Sequence, residues 1–428
     1  MNRAVSESAG LRFAMVTTFY PPYHFGGDAY AVRRLAHALA RRGHQVDVIH
    51  DIDAFRALGG SVELTSEPEP ENVRVHGLES PFGTLSCLAT HQFGRPVVHG
   101  RKIRAILGQG FDVIHFHNIS LVGGPGILEY GTGIKLYTAH EHWLVCPSHT
   151  LWRHNREICN ARECLLCIAH YRRPPQLWRH GTMLEQQVRH VDAFTTYSQF
   201  CADKHREFGF TRPMSVTPPF LPNAEAPEQE PGSARDPEDP PYFLFVGRLE
   251  AIKGLQDVIP LFRKAGTAEL RVAGSGIYEN QLRKLAADAP RVRFLGKQSR
   301  AQLRELYRGA VALIVPSICY EVFALVILEA FREGTPVVAR RLGPFPEIID
   351  QSGGGLLFDD ATGLEQALEK LLGSDELRAR LGAAAARVAQ SVWSETWAMK
   401  RYFELIADVA QRRGDSALRE KALNSIPG

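Results

Sequence analysis

The chain has 428 residues, 44% of them hydrophobic and 23% charged, with a formal net charge of +3. That length exceeds one ordinary core, so two domains are the default, and so small a charge gives no ground for a nucleic-acid partner. No apolar run approaches the roughly 18 residues that a bilayer span needs, and residues 1–10 lack the apolar core of a secretion signal, so a cytoplasmic protein is expected.

Residues 12–18 read as a strand, residues 29–42 as an amphipathic helix stopped by Gly43, and residues 45–50 as a second strand. After a polar stretch, strands at 111–115, 134–138 and 193–198 continue an alternation that implies a parallel sheet covered on both faces. Residues 223–241, rich in Pro, Glu and Asp, read as a linker. A second series opens with residues 242–246 and continues through 270–276, 292–297 and 337–339. The last long helix, 394–412, has apolar residues at Trp397, Tyr402, Phe403, Ile406 and Val409, and the residues after Gly414 read as a loosely held tail. The expected architecture is α/β: two Rossmann-like domains, 1–222 and 242–393, facing each other across a cleft, then helix 394–412 and tail 413–428. A cysteine-rich insertion at 143–180 interrupts the first domain.

The most informative segment holds Glu321 and, eight residues on, Glu329, at a loop that turns into an apolar helix. The amides of Phe323, Ala324, Leu325 and Val326 are expected in the first helical turn, where free N–H groups and the helix dipole suit a diphosphate. The flanking carboxylates can accept hydrogen bonds from a sugar on one side and a ribose on the other. Upstream, a strand breaks at Gly247 into Arg248 and Lys253, a planar fork and a point charge for phosphate oxygens. Gly274 and Gly276 end another strand, and Gly26 and Gly27 form the turn between the first strand and its helix. All sit at C-terminal strand ends, where open α/β sheets bind ligands. Two pairs, His115-x-His117 and His140-x-His142, also fall at strand ends, each with both members on one side of an extended segment.

This ordered set resembles the retaining, GT-B type glycosyltransferases of family four, over roughly residues 13–410. The resemblance implies that Arg248 and Lys253 hold the donor diphosphate, Glu321 the transferred sugar, the amides after Phe323 the β-phosphate and Glu329 the ribose. It implies a Gly26-Gly27 loop closing over the donor, His140 beside the transferred sugar as a catalytic residue with Glu321, and a final helix crossing back to the first domain. Ala324 stands where many relatives have glycine. The donor is then a nucleotide diphosphate sugar, the acceptor a hydroxyl of a glycan, a lipid-linked intermediate or a small molecule, and no cofactor is needed for catalysis.

Asp51 and Asp53 resemble a metal pair, but they lie after the second strand, in the half the resemblance gives to the acceptor. Cys146, Cys159, Cys164 and Cys167 have a spacing that suits a structural zinc ion. Cys87, Cys201 and Cys319 read as core residues. Basic runs at Arg33-Arg34, Arg41-Arg42, 95–104 and 172–189 suit either a solvated face or a peripheral contact with anionic lipid at the inner face of the membrane. Two alternatives share the architecture: a nucleotide-sugar 2-epimerase or hydrolase, and a catalytically silent partner subunit.

Overall fold

The computed structural model describes residues 10–60, 68–223, 240–263 and 268–427. Most of the expected linker, residues 224–239, lies outside them.

The first domain runs β1 (Arg12–Val16), α1 (Gly27–Ala40), β2 (Gln45–Asp51), α2 (Ile52–Ala57), β3 (Val73–Leu78), α3 (Thr84–Phe93), α4 (Gly100–Leu107), β4 (Val113–Phe116) and β5 (Ile134–Ala139). A short hairpin, β6 (Trp152–Arg153) with β7 (Glu157–Ile158), and helix α5 (Cys164–His170) lie in the insertion, and α6 (Met183–Val188) follows it. Then come β8 (Ala193–Thr196), α7 (Gln199–Glu207) and β9 (Met214–Val216). Among the described residues the strands form one parallel sheet in the order β3-β2-β1-β4-β5-β8-β9.

The second domain runs β10 (Tyr242–Val246), α8 (Leu255–Val258), β11 (Glu269–Ala273), α9 (Glu279–Leu285), β12 (Val292–Gly296), α10 (Arg300–Gly309), β13 (Ala312–Val315), α11 (Leu325–Arg332), β14 (Val337–Arg340), α12 (Phe345–Ser352), β15 (Gly355–Phe358), α13 (Ala361–Leu372) and α14 (Asp375–Ala389). Its described strands form a second parallel sheet, β12-β11-β10-β13-β14-β15. β1, β10, β13 and β14 are buried along nearly their whole length, which is why they read as continuous apolar runs rather than alternating ones.

Helix α15 (Glu395–Arg413) crosses back: Met399, Tyr402, Phe403, Ile406 and Ala410 join Phe13, Met15 and Val48 in the first domain's core. Trp393, just before it, packs instead on the second domain, stacked on Phe331 at 5.7 Å. The expectation of a loose tail is wrong. Residues Ser416–Asn424 form α16, capped by Asp415, and bury Leu418 and Ala422 against the same first-domain core. Two buried apolar positions one turn apart were the signal for it.

Candidate active site

Between β10 and α8 the chain passes through Gly247 and a 3-10 turn, Ala251–Lys253, to Gly254 at φ 73°. A Cβ on Gly254 would overlap the Pro316 carbonyl, so glycine lets this turn lie against the loop after β13. That approach sets Lys253 beside Glu321: Nζ donates to Oε1 across 2.5 Å, and Ser317 Oγ donates to the same oxygen at 2.9 Å. Burial disfavours the Glu321 carboxylate, but the Lys253 ammonium and the two hydrogen bonds outweigh it and hold its pKa below the usual range. Lys253 is raised for the reciprocal reason, the Glu321 charge overcoming its own burial.

Helix α11 begins at Leu325, with Ala324 as an extended N-cap at φ −103°. Phe323 and Ala324 therefore precede the first turn, correcting the expectation that all four amides lie within it. The Leu325 and Val326 amides, at the first two helical positions, have no intrahelical acceptor, while Ile327 N closes on the Ala324 carbonyl at 2.9 Å. Because Ala324 has negative φ, its replacement of glycine strains nothing. Farther along α11, Glu329 accepts from Tyr307 OH at 3.1 Å and from Arg34 Nη2 of α1 at 3.3 Å.

The first domain meets this surface through its glycine turn. Gly26 is the N-cap of α1, and a Cβ there would stand 3.9 Å from Arg248 Nε. One on Gly27 would come 2.9 Å from Leu325 Cδ1. Arg248 is otherwise tied only loosely, donating to Glu250 at 2.8 Å with half its side chain exposed. Arg248, Lys253, Glu321, the start of α11 and the Gly26-Gly27 turn are thus brought together. Gly274 and Gly276 have a different reason to be glycine: a Cβ on either would run into the Gly247 or Leu249 backbone, so they let two strand-end loops interlock.

His140 follows β5 and uses both ring nitrogens inside the protein, Nε2 with His117 Nδ1 at 2.9 Å and Nδ1 with Tyr197 OH at 3.0 Å. Burial lowers its pKa to about 4, against the opposing charge of Asp28, so the ring is neutral at pH 7. His115 shares the buried side of its segment with His117, ring centroids 4.0 Å apart, but bonds Tyr402 of α15 at 3.0 Å and Thr138 at 2.8 Å. Tyr197, Asp28 and Arg34 were missed from the sequence. Their signal was positional, a polar side chain at a strand end or in the first turns of the helix after a glycine pair.

The expected tetrahedral cysteine site is gathered but not closed: Cys146 bears electrostatically on Cys159, Cys164 and Cys167, yet among the described residues no three of these sulfurs lie within 4.8 Å of one another. Cys146 pairs with Ser148 Oγ at 3.2 Å, Cys159 donates to the Ala161 carbonyl at 3.3 Å, and Cys167 accepts from His154 N at 3.2 Å. Among the described residues, the sets of three donors closing within 4.8 Å are Asp51-Asp53-His99 and His142-Cys201-His205. In the first, Asp51 caps α2 through Ala54 N, while Asp53 accepts from Ser80 N and Oγ and pairs with His99, so its carboxylates are engaged in building the turn.

Two parallel-sheet domains with a helix crossing back, and a glycine turn of the first set against Arg248 and the start of α11 in the second, have the arrangement of the GT-B fold. Residues 25–223 match the family model Glycosyltransferase Family 4, and residues 228–388 match Glycosyl transferases group 1. The chain is a glycosyltransferase whose two halves carry these two family domains. It is similar to glycogen synthase of Mycobacterium tuberculosis, 29% identical with 88% of this chain and 89% of that protein covered. A D-inositol 3-phosphate glycosyltransferase of Thermobifida fusca is 28% identical, covering 87% and 86%. Among solved structures, sucrose-phosphate synthase of Thermosynechococcus elongatus superposes with a TM-score of 0.69 at 20% identity, covering 93% of this chain and all of that one. Anabaena HepE in complex with UDP superposes at 0.64 and 16%, covering 93% and 100%. No helix among the described residues is long and apolar enough to cross a membrane.

Proposed function

We propose that the cleft between the Gly26-Gly27 turn and the Lys253–Glu321 pair holds a nucleoside diphosphate sugar and transfers its sugar, with retention of configuration, to an acceptor hydroxyl. The observation that carries this is the approach of Gly26 to Arg248 and of Gly27 to Leu325: side-chain-free backbone on one domain opposite cations and free amides on the other. Arg248 and Lys253 bind diphosphate oxygens, joined by the Leu325 and Val326 amides. Glu321, kept ionised by Lys253, accepts from hydroxyls of the sugar, and Glu329 binds the ribose from its place between Tyr307 and Arg34. His140, neutral and oriented by His117 and Tyr197, lies beside the sugar. The acceptor oxygen bonds to the anomeric carbon on the face that the diphosphate leaves. The anomeric carbon–oxygen bond to the β-phosphate breaks, and the acceptor proton passes to the departing phosphate. The enzyme contributes position and charge stabilisation. The UDP in the HepE structure supports uridine diphosphate as the first nucleotide to try. The test is turnover of a panel of UDP-, GDP- and ADP-sugars, in which one nucleotide series should show slow donor cleavage even without acceptor. No turnover and no binding across the panel would refute the reading.

A second reading concerns the acceptor's setting. Arg33 and Arg34 are buried, and Arg41 and Arg42 pair with Glu395, so these runs do not form an open basic face. The other two runs are exposed and border exposed Leu85, Leu88, Phe93, Val97, Leu165, Leu166 and Leu177. Exposed apolar side chains on the same stretches of chain as exposed Arg95, Arg101, Arg104, Arg172 and Arg173 suit an anionic lipid surface and an acceptor anchored in it. Sedimentation with anionic but not neutral vesicles supports this reading, and equal recovery with both refutes it.

A further inference from the structure

We propose that His142, Cys201 and His205 form a binding site for a borderline divalent transition metal, zinc foremost, that ties the loop carrying His140 to helix α7. Cys201 and His205 are four residues apart on α7 and so share one face, one turn apart. His142, two residues beyond His140, completes the set from the loop after β5. Cys201 Sγ lies 3.5 Å from His205 Nδ1 and 4.0 Å from His142 Nδ1, and the two imidazole centroids are 5.3 Å apart. One donor atom from each residue falls within 4.8 Å of the others, and none of the three is more than 1% exposed.

Two features point to an occupant. His205 Nδ1 donates to the Cys201 carbonyl at 2.8 Å, which leaves the Nε2 lone pair as the ring's acceptor. Metal-binding histidines are commonly held in this way, one nitrogen on a carbonyl and the other on the ion. Because His205 Nδ1, the nitrogen nearest Cys201 Sγ, is spent on the carbonyl, His205 would ligate through Nε2. The Nε2 atoms of both His142 and His205 are buried with no hydrogen-bond partner among the described residues, and such orphaned atoms are costly unless something binds them. The donor set has the right chemistry, since burial keeps both imidazoles neutral, and two imidazoles with one thiolate suit zinc. Burial pushes the Cys201 thiol up to about 12, so the ion displaces its proton to solvent as the sulfur–metal bond forms. The site would brace catalysis without taking part in it. At the start of α7, Ser198 Oγ donates to the Val322 carbonyl at 3.1 Å and the Gln199 and Phe200 amides donate to Glu347, so the ion would link the His140 loop to the second domain's contact surface.

Zinc K-edge absorption spectroscopy on the full-length wild-type protein, stripped by a chelator and reloaded with one equivalent of zinc, reads the ligands directly. The expected spectrum shows imidazole scattering and a single sulfur, and His205→Gln and Cys201→Ser each lower zinc affinity at least tenfold. A sulfur-only shell, which would mark the Cys146 to Cys167 quartet instead, or wild-type protein that keeps no zinc through dialysis, overturns the proposal.

Discussion

Lys253 Nζ and Glu321 Oε1 lie 2.5 Å apart in the cleft although their residues are 68 positions apart in sequence. Neither charge is stable there alone, because each is disfavoured by burial and restored by the other. A diphosphate bound as proposed would let Lys253 share its protons between phosphate oxygens and Glu321, so the carboxylate would keep its partner.

Removing Lys253 should therefore do two things. Lys253→Ala should cut turnover by on the order of a hundredfold, as loss of a charge-stabilising group does. It should also raise the Glu321 pKa, since burial would then act unopposed, and move the acid limb of the kcat/KM profile to higher pH. A variant with full activity, or with a wild-type acid limb, would contradict this account of the pair.

His140 is held neutral by burial, with a pKa of about 4. The wild-type pH–rate profile should accordingly show no inflection from this ring near pH 6.5. Tyr197→Phe removes one of the two groups orienting it and should lower kcat about fivefold, the equivalent of about 1 kcal/mol for one hydrogen bond, with little change in KM for the donor. Steady-state kinetics across pH checks both statements.

Glu395, 2% exposed, gathers Arg41, Arg42 and the Asn223 amide at the junction where the chain crosses back. Burial opposes its ionisation, but Arg42, the Asn223 amide and Arg41 together depress its pKa below 4.5. Its stabilisation is thus complete above the unfolded carboxylate's pKa and is lost as pH falls through the lower folded value. Glu395→Ala should cost about 3 kcal/mol in denaturant unfolding at pH 7, and the deficit should shrink on acidification toward pH 3. A deficit independent of pH would contradict the ionic account.

Gly274→Ala tests whether that glycine serves packing. Its φ of 138° and the Gly247 carbonyl facing it leave no room for a Cβ, so the substitution should destabilise the protein by at least about 2 kcal/mol. Unchanged stability with weakened donor binding would assign Gly274 to the ligand instead.

The domain pattern was legible because parallel strands buried on both faces leave uninterrupted apolar runs, as at residues 242–246. β3, at Val73–Leu78, was not legible, because only its ends are buried and it reads as part of a polar stretch. Arg248, Lys253 and Glu321, which the fold brings together, could be singled out in the sequence because their charges stand beside glycine turns and strand ends. Tyr197, the second partner of His140, and the partners of Glu329 could not, since Tyr197, Tyr307 and Arg34 reach them only through the folding of distant segments. The metal-ligand spacing in sequence pointed to the cysteine quartet, whereas folding closed three donors of which two, His142 and Cys201, lie far apart in the chain.

The central claim is that the donor binds between the two domains on Arg248 and Lys253. Calorimetric titration of wild-type protein and of Arg248→Ala/Lys253→Ala with UDP, GDP and ADP tests it most directly. One nucleotide should bind the wild type and bind the double variant at least a hundredfold more weakly, two charge-assisted contacts being worth about 3 kcal/mol or more. Equal affinity in both proteins would place the donor elsewhere.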